Sequence, residues 1–133
     1  MRLRMSKPVD PAARGATVGR RRSSVESPQA RLGRAIRRFN AGKEAKTVSG
    51  LTKTLGVPWV SIGASAGSSS MVRITVAWDL TWYQWGVDLH DESRPISVLG
   101  KGFELGQLDG SARQWNATAV DGNLVLGAPL RRP

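Results

Sequence analysis

The sequence predicts an α+β domain: a small, mainly antiparallel β-sheet or partly closed barrel, preceded by two short helices and a disordered basic arm. Three observations lead there. Residues 72–89 read VRITVAWDLTWYQWGVDL, a run of β-branched and aromatic residues in period two. Apolar residues between 29 and 55 recur instead at spacings of three and four. The charge is also one-sided. Residues 1–50 hold 13 Lys plus Arg against 3 Asp plus Glu, while residues 51–133 hold 7 of each, so the entire net charge of +10 lies in the first 50 positions.

A chain of 133 residues is expected to form one domain. With no Cys there is no disulfide and no thiolate site. No apolar run approaches the ~18 residues of a membrane span, and the N-terminus carries no secretory apolar core. A cytoplasmic protein with no membrane partner is the expectation. The sequon Asn116-Ala117-Thr118 therefore carries little weight.

Residues 1–28 are expected to be the arm. They hold few large apolar groups, three Pro, and the cluster Arg20-Arg21-Arg22-Ser23-Ser24. Such a segment buries too little surface to offset its ordering entropy. It is suited to salt-sensitive, sequence-independent contact with phosphates, or to act as a solubilising tether. Asp10, Glu26 and the prolines argue against an organellar transit peptide. Ser23 and Ser24, beside three Arg, are plausible phosphosites whose modification would partly neutralise the arm.

Residues 29–133 are expected to be the single folded domain. Ser27-Pro28 is a helix start, with Ser as cap and Pro in the first turn. The first helix then runs over about 29–40. Leu32, Ala35, Ile36 and Phe39 make its apolar face, and Arg31, Arg34, Arg37 and Arg38 lie on or beside its polar face. This basic amphipathic helix is expected to dock on the sheet, with phosphate contact as an added role; its apolar face is small for a membrane surface. A second helix over about 47–55 rests on Val48, Leu51 and Leu55, with Thr47 or Ser49 as cap, Gly56 as terminator and Pro58 as stop. The pair superficially suggests helix-turn-helix, but the second helix has only Lys53 inside it as a basic group. Packing against the sheet is the expected role.

Strands begin near Trp59-Val60-Ser61-Ile62, followed by the Gly/Ser-rich connection 63–70, which lacks the Lys-Ser/Thr ending of a phosphate-binding loop. The central run then changes phase. Val72, Ile74, Val76 and Trp78 form an even-numbered apolar set; Tyr83, Trp85, Val87 and Leu89 form an odd-numbered one. One straight strand would send them to opposite faces. The chain must therefore bulge or turn within Asp79–Trp82, and two strands joined by a bend are expected there, because Asp-Leu-Thr lacks the Asn-Gly type signature of a tight hairpin. Further strands are expected at Ile96–Leu99, at Phe103–Leu105, from Arg113 to Ala119 with Trp115 turned to the core, and at Leu124–Leu126 after an Asp121-Gly122 turn.

No catalytic constellation assembles. His90 is the only His, and Asp88, Asp91 and Glu92 around it read as a solvated turn rather than a catalytic or metal-binding group. No enzyme activity, cofactor or metal is expected. The distinctive feature is the aromatic set Trp78, Trp82, Tyr83 and Trp85, which includes three of the five Trp and the single Tyr. Some of it must be core, and the phase change gives Trp82 or Tyr83 a reason to leave it. The sequence thus points to a non-enzymatic protein-interaction or structural subunit, meeting a protein partner or itself through an aromatic sheet face or edge. The alternative is a small RNA- or DNA-associated protein that holds phosphates through Arg20, Arg21, Arg22 and the first helix.

Overall fold

The structure is a computed structural model that describes residues 26–65 and 70–127. Residues 1–25 of the arm, with Arg20, Arg21, Arg22, Ser23 and Ser24, lie outside the described residues, as do the middle of the Gly/Ser-rich connection and the C-terminal Arg131-Arg132-Pro133; the last three residues assigned to the arm, 26–28, instead belong to the start of the first helix.

Two helices pack on one face of a six-stranded antiparallel sheet. They are α1 (Pro28–Ala41) and α2 (Lys43–Leu55). The strands are β1 (Trp59–Ala64), β2 (Met71–Trp78), β3 (Thr81–Asp88), β4 (Ile96–Gly102), β5 (Ala117–Val120) and β6 (Asn123–Leu126). Their order is β4-β3-β2-β1-β5-β6, so the sheet is open and does not close into a barrel.

Helix α1 starts as its residues dictate: the Ser27 hydroxyl accepts the N–H of Ala30 at 3.1 Å, with Pro in the first turn. Ala35 and Phe39 are fully buried, and Leu32 and Ile36 pack beside them, so the apolar face read from spacing is the one that docks. Helix α2 begins at Lys43, four residues before the expected 47, and a single residue, Gly42, separates the two helices. Neither Thr47 nor Ser49 caps it; both lie inside the helix. Ala45 and Val48 are its buried positions. The early start follows from tertiary packing, since Ala45 supplies apolar contact to the core in the turn that sequence pattern alone leaves out.

The phase change at residues 79–82 resolves as a tight hairpin, not an open bend. Trp78 faces Thr81 across the two-residue turn Asp79-Leu80, and the register continues through Val76–Tyr83, Ile74–Trp85 and Val72–Val87. Across a two-residue loop an even-numbered residue always meets an odd-numbered one, so both apolar sets fall on the helix side. Neither turn residue takes positive φ, which the favoured primed turns require. Eight cross-strand pairs hold this hairpin in place of favourable turn chemistry. By contrast Asp121-Gly122, with φ of 53° and 85°, is the primed turn its sequence announces.

The main core lies between sheet and helices. It gathers Phe39, Val48, Val60, Ile62, Val72, Ile74, Val76, Trp78, Trp85, Val87, Leu89, Ala117, Ala119 and Leu124. Full burial of each large side chain contributes roughly 1.5–3 kcal/mol. A second, smaller cluster sits on the other face. There Ala77, Leu108, Ala112 and Trp115 are buried and Trp59, Trp82 and Leu105 half-buried. Two 3-10 turns, Leu105–Gln107 and Gly110–Ala112, supply this cover. The extended segment expected at Phe103–Leu105 is therefore absent. The strand expected from Arg113 begins only at Ala117, because Trp115 takes φ 49°. That left-handed residue breaks the alternation and sends Trp115 to the outer cluster while Ala117 and Ala119 go to the main core.

Candidate functional site

The four aromatics singled out from sequence are placed apart by the hairpin. Trp78 and Trp85 are core residues, 2% and 4% exposed. The Trp78 indole N–H donates to the Gly56 carbonyl at 2.8 Å, tying the sheet to the end of α2. Trp85 meets Phe39 edge-on at 5.2 Å and stacks with Tyr83 at 5.7 Å. Tyr83 is half-buried on the helix side, at right angles to Trp78. Trp82 alone points to the other face. Its ring lies over Gly102, where a Cβ would come within 2.6 Å of it, and its N–H donates to the Glu104 carbonyl at 2.9 Å and to Gln107 Oε1 at 3.3 Å. The set is a packing cluster astride the sheet rather than an exposed aromatic face.

The arginines of α1 are likewise divided. Arg34 bonds Glu26 Oε1 at 2.6 Å and the Leu89 carbonyl at 3.1 Å. Arg38 donates to the carbonyls of Asp88 (3.3 Å) and Asp91 (3.1 Å). The Arg31 guanidinium reaches the Glu26 carbonyl at 3.5 Å. Arg37 is exposed and has no hydrogen bond or ion pair among the described residues. Three of the four thus fasten the helix start or the β3–β4 connection, and α1 docks on the sheet as expected.

The β3–β4 connection is a set of polar turns. Asp88 Oδ1 accepts the backbone N–H of His90 at 2.9 Å, so this carboxylate orients the chain and not the imidazole. Asp91 Oδ1 accepts the N–H groups of Ser93 and Arg94 and the Ser93 hydroxyl. The Arg94 N–H, reinforced by Ser93 and the Arg94 charge, holds the Asp91 carboxyl below its ordinary value. Asp109 is lowered in the same way, first by the Ser111 hydroxyl, then by the Ala112 N–H and by Arg73, which bonds it with both guanidinium nitrogens. Among the described residues no group of three or more His, Cys, Asp and Glu is placed to hold a metal ion. A shallow cleft of about 750 Å³ opens between the α1–α2 junction and this connection. Its lining mixes Arg38, Lys43 and Arg94 with Glu44 and Glu92, and no one chemistry converges there.

The feature that stands out is the contrast between the two sheet edges. At one end, β6 is closed by a side chain: Asn40 of α1 donates from Nδ2 to the Leu124 carbonyl at 3.2 Å and accepts the Leu124 N–H at 2.7 Å. Asn116 does the same for β1, bonding both the N–H (2.9 Å) and the carbonyl (2.8 Å) of Ile62 just beyond the single Val60–Ala117 ladder pair. Each amide stands in for a strand residue.

At the other end β4 has no such cover among the described residues. Val98, Leu99 and Phe103 are 70%, 47% and 77% exposed. Leu80 is also exposed, next to Thr81, whose hydroxyl bonds the Gly102 carbonyl at 3.1 Å. A bulge interrupts this strand: Gln84 pairs with Gly100 and Trp85 with Val98, which leaves Leu99 as the extra residue. An uncovered strand of seven residues with apolar side chains is a template for another chain. Val98, Leu99 and Phe103 were not singled out by sequence reasoning. Their only signal there is an apolar pair followed by Gly-Lys-Gly-Phe, and nothing local says that this strand ends the sheet.

Comparison of the chain with protein-family models, with curated proteins and with solved structures gave no match. No helix among the described residues is long and apolar enough to cross a membrane.

Proposed function

We propose that this protein is a non-enzymatic interaction subunit. Its contact surface is the β4 edge with Val98, Leu99 and Phe103, and its basic N-terminal segment serves as a charged tether. The observation that supports this reading most is the asymmetry of the sheet: Asn40 blocks one edge, while at the other the described residues leave apolar side chains and backbone groups uncovered. The aromatic cluster contributes rigidity beneath that edge, since β3 carries Trp82 and Trp85 directly against β4. Phe103→Ser and Val98→Lys are expected to abolish association while leaving the far-UV spectrum unchanged. If both variants keep every association the intact chain makes, the reading fails.

A second reading is favoured by the charge distribution. The 7 Lys and Arg among residues 1–25 are opposed by Asp10 alone, a strongly cationic stretch. Here the arm, with Arg20, Arg21 and Arg22, contacts nucleic-acid phosphates, and Arg37 on α1, exposed and unpaired among the described residues, adds a cation. The test keeps α1 intact, because Phe39 and Ala35 are core. Replacing Arg20, Arg21 and Arg22 by Ala is expected to weaken binding to generic RNA or DNA and flatten its salt dependence. No salt-sensitive binding by the intact chain would exclude this role.

A further inference from the structure

We infer that the partner of the β4 edge is a second copy of this chain, its β4 running antiparallel to the first about a twofold axis between Leu99 and Gly100. This rests on the edge-interaction reading above and adds the identity and register of the occupant.

The register follows from which backbone groups face outward. Leu89 donates its N–H to Ser70, and Asp88 donates its N–H to Pro95. In an antiparallel ladder these directions alternate. The odd-numbered residues of β3 therefore bond β2, and the even-numbered residues bond β4. Gly86, Gln84 and Trp82 pair with Ser97, Gly100 and Gly102, whose backbone groups consequently point inward. Ile96, Val98 and Lys101, which face Val87, Trp85 and Tyr83, direct theirs away from the sheet.

The bulge makes this outward row uneven: Ile96 and Val98 are two apart, Val98 and Lys101 three apart. Two such rows match only if the irregularity of each faces that of the other. Val98 then lies opposite Lys101 of the second copy, and Lys101 opposite its Val98. One further step along, Ile96 comes opposite Phe103, the residue after the strand end at Gly102, whose N–H is held by Gln107 Oε1 at 3.3 Å.

Side chains and charge suit the same arrangement. Val98 and Phe103, the two most exposed apolar groups of this segment, lie on the stretch that the pairing covers. Residues 92–104 carry Glu92, Arg94, Lys101 and Glu104, two of each sign, so two copies meet without net repulsion. Strand pairing alone gives an interface below the ~1,200–2,000 Å² of stable complexes, so the dimer is expected to depend on concentration.

The test is sedimentation equilibrium of the full chain from roughly 5 to 500 µM, for the natural sequence, Val98→Lys, and Val98→Lys combined with Lys101→Glu. Val98→Lys places two lysines opposite each other at both ends of the pairing and is expected to raise the dimer Kd on the order of tenfold or more. Adding Lys101→Glu converts each contact to Lys–Glu and is expected to restore dimerisation to within a few-fold of the natural chain. Unchanged urea midpoints show that the variants fold, as an exposed position allows. A natural chain that stays monomeric throughout overturns the self-pairing. If a complex with a different protein is then lost on Val98→Lys, the edge reading itself survives. A dimer indifferent to Val98→Lys, or one not restored by the second change, overturns this register.

Discussion

Asn40 and Leu124 pair as two strand residues would, although one is a helix side chain. The amide of Asn40 donates to the Leu124 carbonyl and accepts its N–H, at 3.2 and 2.7 Å. This one contact joins α1 to the last strand and occupies the edge that β6 would otherwise leave open. Replacing Asn40 by Ala leaves a partly buried donor and acceptor without partners, a cost of about 1–3 kcal/mol. A lower urea midpoint at unchanged slope is the expected result. Because the edge is then uncovered, the variant is also expected to aggregate faster at equal fraction unfolded, measured by light scattering.

The tryptophans of β3 are expected to respond unequally. Trp85→Ala removes the contacts to Phe39 and Tyr83 and opens a cavity in the main core, a loss of about 3–5 kcal/mol. Trp82→Phe keeps a ring over Gly102 and forfeits the indole hydrogen bonds to Glu104 and Gln107, about 0.5–1.5 kcal/mol. Equilibrium unfolding of both variants, followed by far-UV dichroism, checks the order. Equal losses would contradict the placement of these two side chains.

Gly122 is required by both conformation and space. It takes φ 85°, and a Cβ there would run into the Ala45 carbonyl oxygen and approach the Ser49 Cβ at 2.7 Å. Gly122→Ala is expected to cost at least about 2 kcal/mol by pushing the β5–β6 turn off α2. Gly63→Ala meets nothing within 4 Å and is expected to be neutral or slightly stabilising. Thermal midpoints of the two alanine variants make the comparison.

Asp91 and Asp109 set part of the acid limit. Each is held below the ordinary Asp value in the folded chain, by N–H groups and Ser93 in one case and by Ser111, Ala112 and Arg73 in the other. A depressed folded pKa means the ionised form favours folding. Its contribution is fully present above the unfolded pKa of ~3.9 and is lost as pH falls through the lower folded values. Asp109 is exposed and Asp91 only half-buried, so the effect is modest and screened by salt. Urea midpoints from about pH 6 to pH 2 are expected to fall less steeply below pH 4 in the double variant Asp91→Asn, Asp109→Asn than in the natural chain.

What could be read in advance was what depends on local period. The apolar face of α1 and the two phases of residues 72–89 are written in side-chain spacing, and both docked as spacing predicts. The hairpin at Asp79-Leu80 was harder, because its turn residues are unremarkable and the ladder of β2 and β3 holds it. Trp115 is buried, as its pattern predicts, but in the cluster on the other face, because its left-handed backbone angle breaks the alternation with Ala117 and Ala119. The early start of α2 and the 3-10 cover over Trp82 depend on distant contacts. The open edge was the least legible of all. An edge strand and an inner strand have similar composition, and only the whole sheet order shows that β4 comes last.

The two-residue turn at Asp79-Leu80 also governs how this chain tolerates changes of length. One residue inserted or deleted there would exchange Tyr83, Trp85 and Val87 for Trp82, Gln84 and Gly86 on the helix side, and β4 would follow its partner. Single-residue indels at this position are therefore expected to be as damaging as loss of a core residue. An insertion of two keeps the facing and costs only the closure of a slightly longer loop, well under 1 kcal/mol.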